Sequence, residues 1–297
     1  MADGDAMRFI SEELGTGVGF DTDGGSGIAT GWTFAAHKDV SSSTKTIDTG
    51  EQRTGAGCQK LVMSTAAASY CTFSQTYTLP GRSDLSGKGH VGATFTLSVY
   101  GKRGAVNNTE SIFIIVEEYD SSDVLGTSST TEQTALTTSY AQLTHQHTIT
   151  DSDVSYIKVL IKCYVGGPAS NCTYYLDDAS LKFDYTVATN PTGSMGLTYS
   201  PSLPETGEAS INNTYYRQRN TSTVLKFRDV SLNFGLTPTA QKNALRAMTF
   251  YDKLFTWYPY NPDLPSTLDG YFKMLGQPVP IGTRWNRWSV NLKFDER

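Results

Sequence analysis

The chain has 297 residues, more than one ordinary domain of roughly 100 to 200 residues requires, so two domains are expected. Lys and Arg number 24 against 29 Asp and Glu, a net charge of −5 with both signs interspersed, which offers no basic surface to nucleic acid or an anionic membrane. No run approaches the roughly 18 apolar residues of a membrane span, and the opening MADGDAMRFISEEL carries acids where a signal peptide carries Lys or Arg, so no membrane insertion is expected.

Residues 1–14 read as an N-terminal arm, and strand after short strand follows. Residues 91–100 (VGATFTLSVY), 111–119 (SIFIIVEEY), 140–149 (YAQLTHQHTI), 156–164 (YIKVLIKCY) and 172–183 (CTYYLDDASLKF) are rich in β-branched and aromatic residues and alternate in period two. Clusters of Gly, Ser, Asn and Asp separate them, which is the pattern of an antiparallel sandwich or barrel over residues 15–187. Residues 188–208 collect Pro191, Pro201 and Pro204 among Gly, Ser and Thr and read as a linker. A smaller β-rich domain is expected over 209–297, with strands at 213–219, 223–232, 253–258, 270–275 and 284–294. One helix is expected at 238–253, with Thr237 as N-cap, Pro238 in the first turn, and Ala244, Leu245, Met248 and Tyr251 on one face.

The residue types that carry catalysis are present without the arrangement it needs. Of the four histidines, His37, His90, His145 and His147, none lies in a nucleophile or metal motif, although His145 and His147 share one face of a strand. The neighbouring carboxylates Glu117-Glu118 and Asp177-Asp178 point to opposite faces if each strand alternates regularly. No nucleophile elbow or phosphate-cradling glycine loop occurs, so a non-enzyme is expected. Cys58, Cys71, Cys163 and Cys172 match no zinc or redox spacing. Cys163 and Cys172 flank Gly166-Gly167-Pro168 symmetrically, so in a hairpin centred there they face each other; the four thiols are either bridged, as Cys163–Cys172 or Cys58–Cys71, or buried and free.

The runs GFDTDGGSGIATGWTF (19–34), RTGAGCQKLVM (53–63), CTFSQTYTL (71–79), FTLSVYGKRG (95–104) and YYLDDASLKF (174–183) occur in an order that resembles the jelly-roll carbohydrate-binding modules appended to xylanases and related glycanases. The resemblance implies a structural calcium ion held by an acid near the first strand and an aspartate near the last, here Asp21 and Asp177; the family usually carries Glu where this chain has Asp21. It also implies sugar binding by exposed rings, for which Tyr70, Tyr77, Tyr100, Tyr119 and Tyr164 are the candidates, while Trp32 matches a core tryptophan. Glycan binding and a spacer role without ligand both remain open for such a module.

Residues 231–241 (SLNFGLTPTAQ), the helix, LFTWYP (254–259), Tyr271-Phe272-Lys273 and RWNRWSVNLKFDE (284–296) follow in an order that looks like the small β-domain tail-tip proteins of long-tailed bacteriophages. That likeness implies a homo-oligomeric ring among other virion proteins. Phe255, Trp257, Tyr258, Tyr260, Trp285 and Trp288 are either its interface or the domain's own core. The expected function is therefore a structural virion protein of a tailed phage, at the tail tip or distal tail, whose jelly roll touches host surface polysaccharide. It would be made in the host cytoplasm and released by lysis. The alternatives are a carbohydrate-binding accessory part of a secreted glycanase and a capsid decoration protein.

Overall fold

The computed structural model describes residues 7–16, 19–80, 90–105, 110–133, 136–187, 197–202, 226–251, 253–258, 268–274, 278–280 and 288–296. The chain forms two compact units, Ser11–Tyr185 and a second that joins Met1–Ile10 to Thr186–Arg297. The second unit therefore takes in residues on both sides of the first. The opening residues form a strand, β1 (Arg8–Ser11), where an arm was expected. Met7 and Phe9 are fully buried, and the Phe9 ring meets Phe272 edge-on at 4.9 Å. The acids around these two apolar residues mask them in the sequence.

Ten strands follow: β2 (Thr33–Ala36), β3 (Val40–Asp48), β4 (Cys58–Thr65), β5 (Ser69–Thr78), β6 (Thr94–Arg103), β7 (Glu110–Tyr119), β8 (Leu125–Gln133), β9 (Ala141–Thr148), β10 (Tyr156–Val165) and β11 (Ala169–Thr186). They make two antiparallel sheets, ordered β2-β5-β10-β7-β8 and β3-β4-β11-β6-β9, a β-sandwich of jelly-roll type. Alternation fills the space between the sheets. Phe73, Ile112, Ile114, Val116, Ile157, Val159 and Ile161 face inward from one, and Phe95, Leu97, Val99, Leu181 and Phe183 from the other, all buried. Trp32, 7 % exposed, packs on Phe20 at 5.1 Å, following Gly31, whose φ of +83° suits glycine.

The second unit contains β12 (Leu197–Ser202), β13 (Lys226–Thr237), α1 (Thr239–Met248), β14 (Phe255–Tyr258), β15 (Leu268–Met274), β16 (Val279–Pro280) and β17 (Trp288–Glu296). Its strands run β12-β13-β17-β15-β14-β1, with β16 on β17. Strand β12 lies inside the stretch read as a linker; it is a sheet-edge strand, where a proline such as Pro201 costs no ladder bond. The strand expected at 213–219 falls outside the described residues.

The helix is shorter than expected and starts differently. Thr237 is held in the β13–β17 ladder opposite Trp288, so Pro238 becomes the N-cap (φ −60°, ψ 155°), and its carbonyl accepts from Lys242 N at 2.9 Å. The last turn tightens as Thr249 N and Phe250 N bond the carbonyls of Arg246 and Ala247, three residues back. Ala244, Leu245, Met248 and Tyr251 are buried, as their spacing requires.

Candidate functional site

Strand β10 alternates strictly. Ile157, Val159, Ile161, Cys163 and Val165 point into the core, so Tyr156, Lys158, Leu160, Lys162 and Tyr164 face outward. The register carries this to its neighbours: Tyr70, Thr72, Ser74, Thr76 and Thr78 of β5 and Ser111, Phe113, Ile115, Glu117 and Tyr119 of β7 share the outward face. Five half-buried aromatic rings stand there. At one end Tyr70, Phe113 and Tyr164 surround the Lys162 ammonium, with Nζ 4.4, 4.9 and 5.4 Å from the three ring centroids. His37 packs on Tyr70, tilted by 37°, with centroids 4.7 Å apart. At the other end Tyr119 and Tyr156 lie parallel, 5.1 Å apart with 5° between planes, and their hydroxyls donate to Glu117 Oε2 (2.9 Å) and Asp123 Oδ1 (2.8 Å). From Tyr156 to Lys162 the strip runs roughly 20 Å at the strand rise of ~3.3 Å per residue.

Three of the five tyrosines singled out in the sequence, Tyr70, Tyr119 and Tyr164, are therefore gathered on one face, and two are not. Tyr77 pairs with inward-facing Ile157, and burial pushes its hydroxyl up to about 12. Tyr100 belongs to the other sheet, where the Arg53 guanidinium covers its ring at 3.6 Å. Phe113, Tyr156 and Lys162 were missed; the signal was the period-two partition of 156–164, which places every even position on the side of Tyr164, and of 111–119, which places Phe113 on the side of Tyr119.

Asp21 and Asp177 do converge, on the loop at residues 53–57. Asp177, fully buried, accepts from Arg53 N (2.6 Å) and Thr54 N (3.2 Å) through Oδ2 and from Asp178 N (2.8 Å) through Oδ1. Asp21 Oδ1 accepts from Ala56 N (2.6 Å) and Gly57 N (3.2 Å). Burial raises the Asp177 carboxyl against these amide bonds, which lower it. This donor set does not fit calcium. Amide protons occupy both Asp177 oxygens and Asp21 Oδ1 where a cation needs oxygens, and among the described residues no three His, Cys, Asp or Glu side chains gather to hold a metal. The carboxylates clamp the loop directly.

Regular alternation fails at Asp177-Asp178. A bulge shifts the register between Asp177 and Ser180, and Asp178 has φ +47°. Both carboxylates consequently serve the same loop, with Asp178 taking Arg53 Nη1 and Thr54 Oγ1 at 2.5 Å each. Glu117 and Glu118 do separate, outward and inward.

Between the sheets, the two histidines of β9 find hydroxyls and a carboxylate. His147 Nε2 lies 2.8 Å from Glu118 Oε1, which fixes the His147 proton on Nε2. His147 Nδ1 then accepts from Ser129 (2.5 Å), Ser129 Oγ accepts from His145 Nε2 (2.7 Å), and His145 Nδ1 accepts from Thr131 (2.7 Å). Glu118 completes the chain by accepting from Thr150 N and Asp151 N at 3.1 and 2.8 Å. Burial lowers His145, and the nearby His147 adds to this. Glu118–His147–Ser129 has the order of a hydrolase triad, but an imidazole on each side encloses the Ser129 oxygen; the relay joins β8 to β9 across the sandwich edge.

The cysteines pair with neither expected partner. The turn after Val165 carries the chain from one sheet to the other, so Cys163 and Cys172 are not in one hairpin, and Cys163 stands opposite Cys71. All four cysteines are buried, and none is in a disulfide. In the second unit Phe255 and Trp257 are fully buried, packed edge-on to Phe272, and so belong to its core. Tyr258 is 37 % exposed, and Trp288 is half-buried under Lys242 Nζ (4.0 Å). Tyr260 and Trp285 lie outside the described residues.

No protein-family model matches the chain, and no curated protein matches it. Solved structures are similar to part of it. A carbohydrate-binding module, TmCBM61, in complex with β-1,4-galactotriose is 13 % identical with a TM-score of 0.39, over 58 % of this chain and 98 % of that one. The CBM22-1 xylan-binding domain from Paenibacillus barcinonensis is 16 % identical with a TM-score of 0.39, over 58 % and 95 %. A tailspike protein of bacteriophage CBA120 is 12 % identical with a TM-score of 0.37, over 55 % of this chain and 21 % of that one.

Proposed function

We propose that the sandwich is a glycan-binding module whose saccharide lies along β10 on the outward face of the five-stranded sheet. The observation that carries this reading is the set of five aromatic rings, Tyr70, Phe113, Tyr119, Tyr156 and Tyr164, on a face that solvent would ordinarily leave polar. Ring faces stack on the C–H faces of pyranoses, and the Thr and Ser row of β5 offers hydroxyls to the sugar's own. In affinity electrophoresis against soluble xylan, galactan and acidic polysaccharides, the protein is expected to be retarded by at least one. Tyr164→Ala and Tyr119→Ala should each weaken that retardation about tenfold, the usual loss of a central aromatic contact. Tyr100→Ala should leave it unchanged. Full mobility in every gel would end this reading.

A second reading, in which the other unit anchors this module to a phage virion released by lysis, is favoured by the chain's connectivity. The sandwich is inserted between Ile10 and Thr186 of a unit that owns both flanks. Val187 N donates to Met7 O at 2.8 Å there, so the two flanks run side by side. Exposed Tyr258 and half-buried Trp288 are the remaining candidates for contact with copies of the chain or other virion proteins. Light scattering on the full-length protein is expected to give a ring-sized mass that Tyr258→Ser with Trp288→Ser lowers to the monomer. A monomer at all concentrations would remove the ring.

A further inference from the structure

Among the described residues, Lys162 is the one cation seated over the rings of the platform. Its ammonium lies over Tyr70, Phe113 and Tyr164, and among the described residues no carboxylate comes within 4.0 Å of it to form an ion pair. Lys45 over Phe34 and Lys242 over Trp288 share this lack of an ion pair, but neither belongs to the platform; Lys60 and Lys102 differ from it. Lys60 stands over Tyr175 and pairs with Asp48 at 3.0 Å; Lys102 stands over Tyr140 and Tyr175 and pairs with Glu51 at 2.5 Å. Across the strands Lys162 faces Thr72 and Phe113, while Glu117 sits four register steps away opposite Lys158.

We infer that the saccharide carries a carboxylate, and that Lys162 is the residue that selects it: the platform binds an acidic, uronate-type polysaccharide. This rests on the glycan-binding reading above. The rings shed water from around the ammonium and supply attraction without a counter-charge, which leaves the cation available for a charge-assisted hydrogen bond. A neutral sugar would offer it only hydroxyls. A uronate places a carboxylate at the rim of the same pyranose that stacks on Tyr164 or Tyr70.

The test uses the full-length protein with polygalacturonate, alginate and hyaluronan, each in native form and after chemical reduction of its carboxylates to alcohols, which keeps the backbone and removes the charge. Calorimetric titration is expected to show at least one native polymer bound about tenfold more tightly than its reduced form. Lys162→Gln, which keeps most of the stem, should abolish that difference by weakening the native polymer alone, with an unchanged melting temperature. Equal binding of native and reduced forms, or a Lys162→Gln protein that still prefers the native one, overturns the acidic preference and leaves the glycan platform standing. Absence of binding to every acidic, reduced and neutral polymer, xylan and galactan included, overturns both.

Discussion

Replacing Glu118 by alanine is expected to destabilise the sandwich by about 3–5 kcal/mol, measured by urea unfolding at pH 7. Glu118 is fully buried, receives His147 Nε2 at 2.8 Å, and takes the amides of Thr150 and Asp151. Removing it takes the acceptor from the buried His147 imidazole and from two amides at once. His147→Ala with Glu118→Ala should cost clearly less than the sum of the single changes, because the two side chains act as one unit. Burial raises the Glu118 carboxyl, but the bonds from His147, Asp151 and Thr150 outweigh it and hold the group below its ordinary 4.5. The unfolded chain therefore takes up that proton first as pH falls, and the stability Glu118 contributes is present above pH 4.5 and lost below it. A Glu118→Ala protein as stable as the parent would show that the relay carries no stability.

Glu110 should behave in the opposite sense. It is 2 % exposed, and the polar groups beside its carboxyl are Arg103, with Nε at 4.0 Å, and the Cys172 thiol. Burial pushes its carboxyl from 4.5 up to about 7, only partly countered by Arg103 and Cys172. Between those values the folded chain holds a proton that the unfolded chain has released, so stability is greatest below pH 4.5 and declines as pH rises through about 7. Glu110→Gln removes that titration. The difference in unfolding free energy between Glu110→Gln and the parent is expected to move in favour of the variant by about 3 kcal/mol from pH 4 to pH 8. A difference that stays flat across that range would place an ionised Glu110 comfortably in the fold.

The sandwich was legible because its strands alternate: residues 111–119 and 156–164 announce a buried and an outward set before any partner is known. Strand β12 was not, because edge strands tolerate the Pro and Gly that sequence reading takes for a linker. Asp177 and Asp178 were assigned to opposite faces by a rule that one bulge at positive φ suspends. The platform was half legible. Tyr70, Tyr119 and Tyr164 announce themselves as aromatics, but their common face depends on the registers of β5, β7 and β10, which are set by long-range pairing. The histidine relay lay beyond reach for the same reason, since its members on β7, β8 and β9 meet only when two sheets close.

The insertion of the sandwich between Ile10 and Thr186 also sets an order of events during synthesis. The strand that starts the second unit leaves the ribosome first, yet its partners leave last, so Phe9 waits for Phe272 through the making of the whole sandwich. Within the sandwich, Leu14 N bonds Leu181 O at 2.9 Å and Phe183 N bonds Ser11 Oγ at 3.0 Å, which ties its two ends together. Once folded, it turns a pairing separated by most of the chain into the closure of a short loop, and so acts as a template for the domain that flanks it.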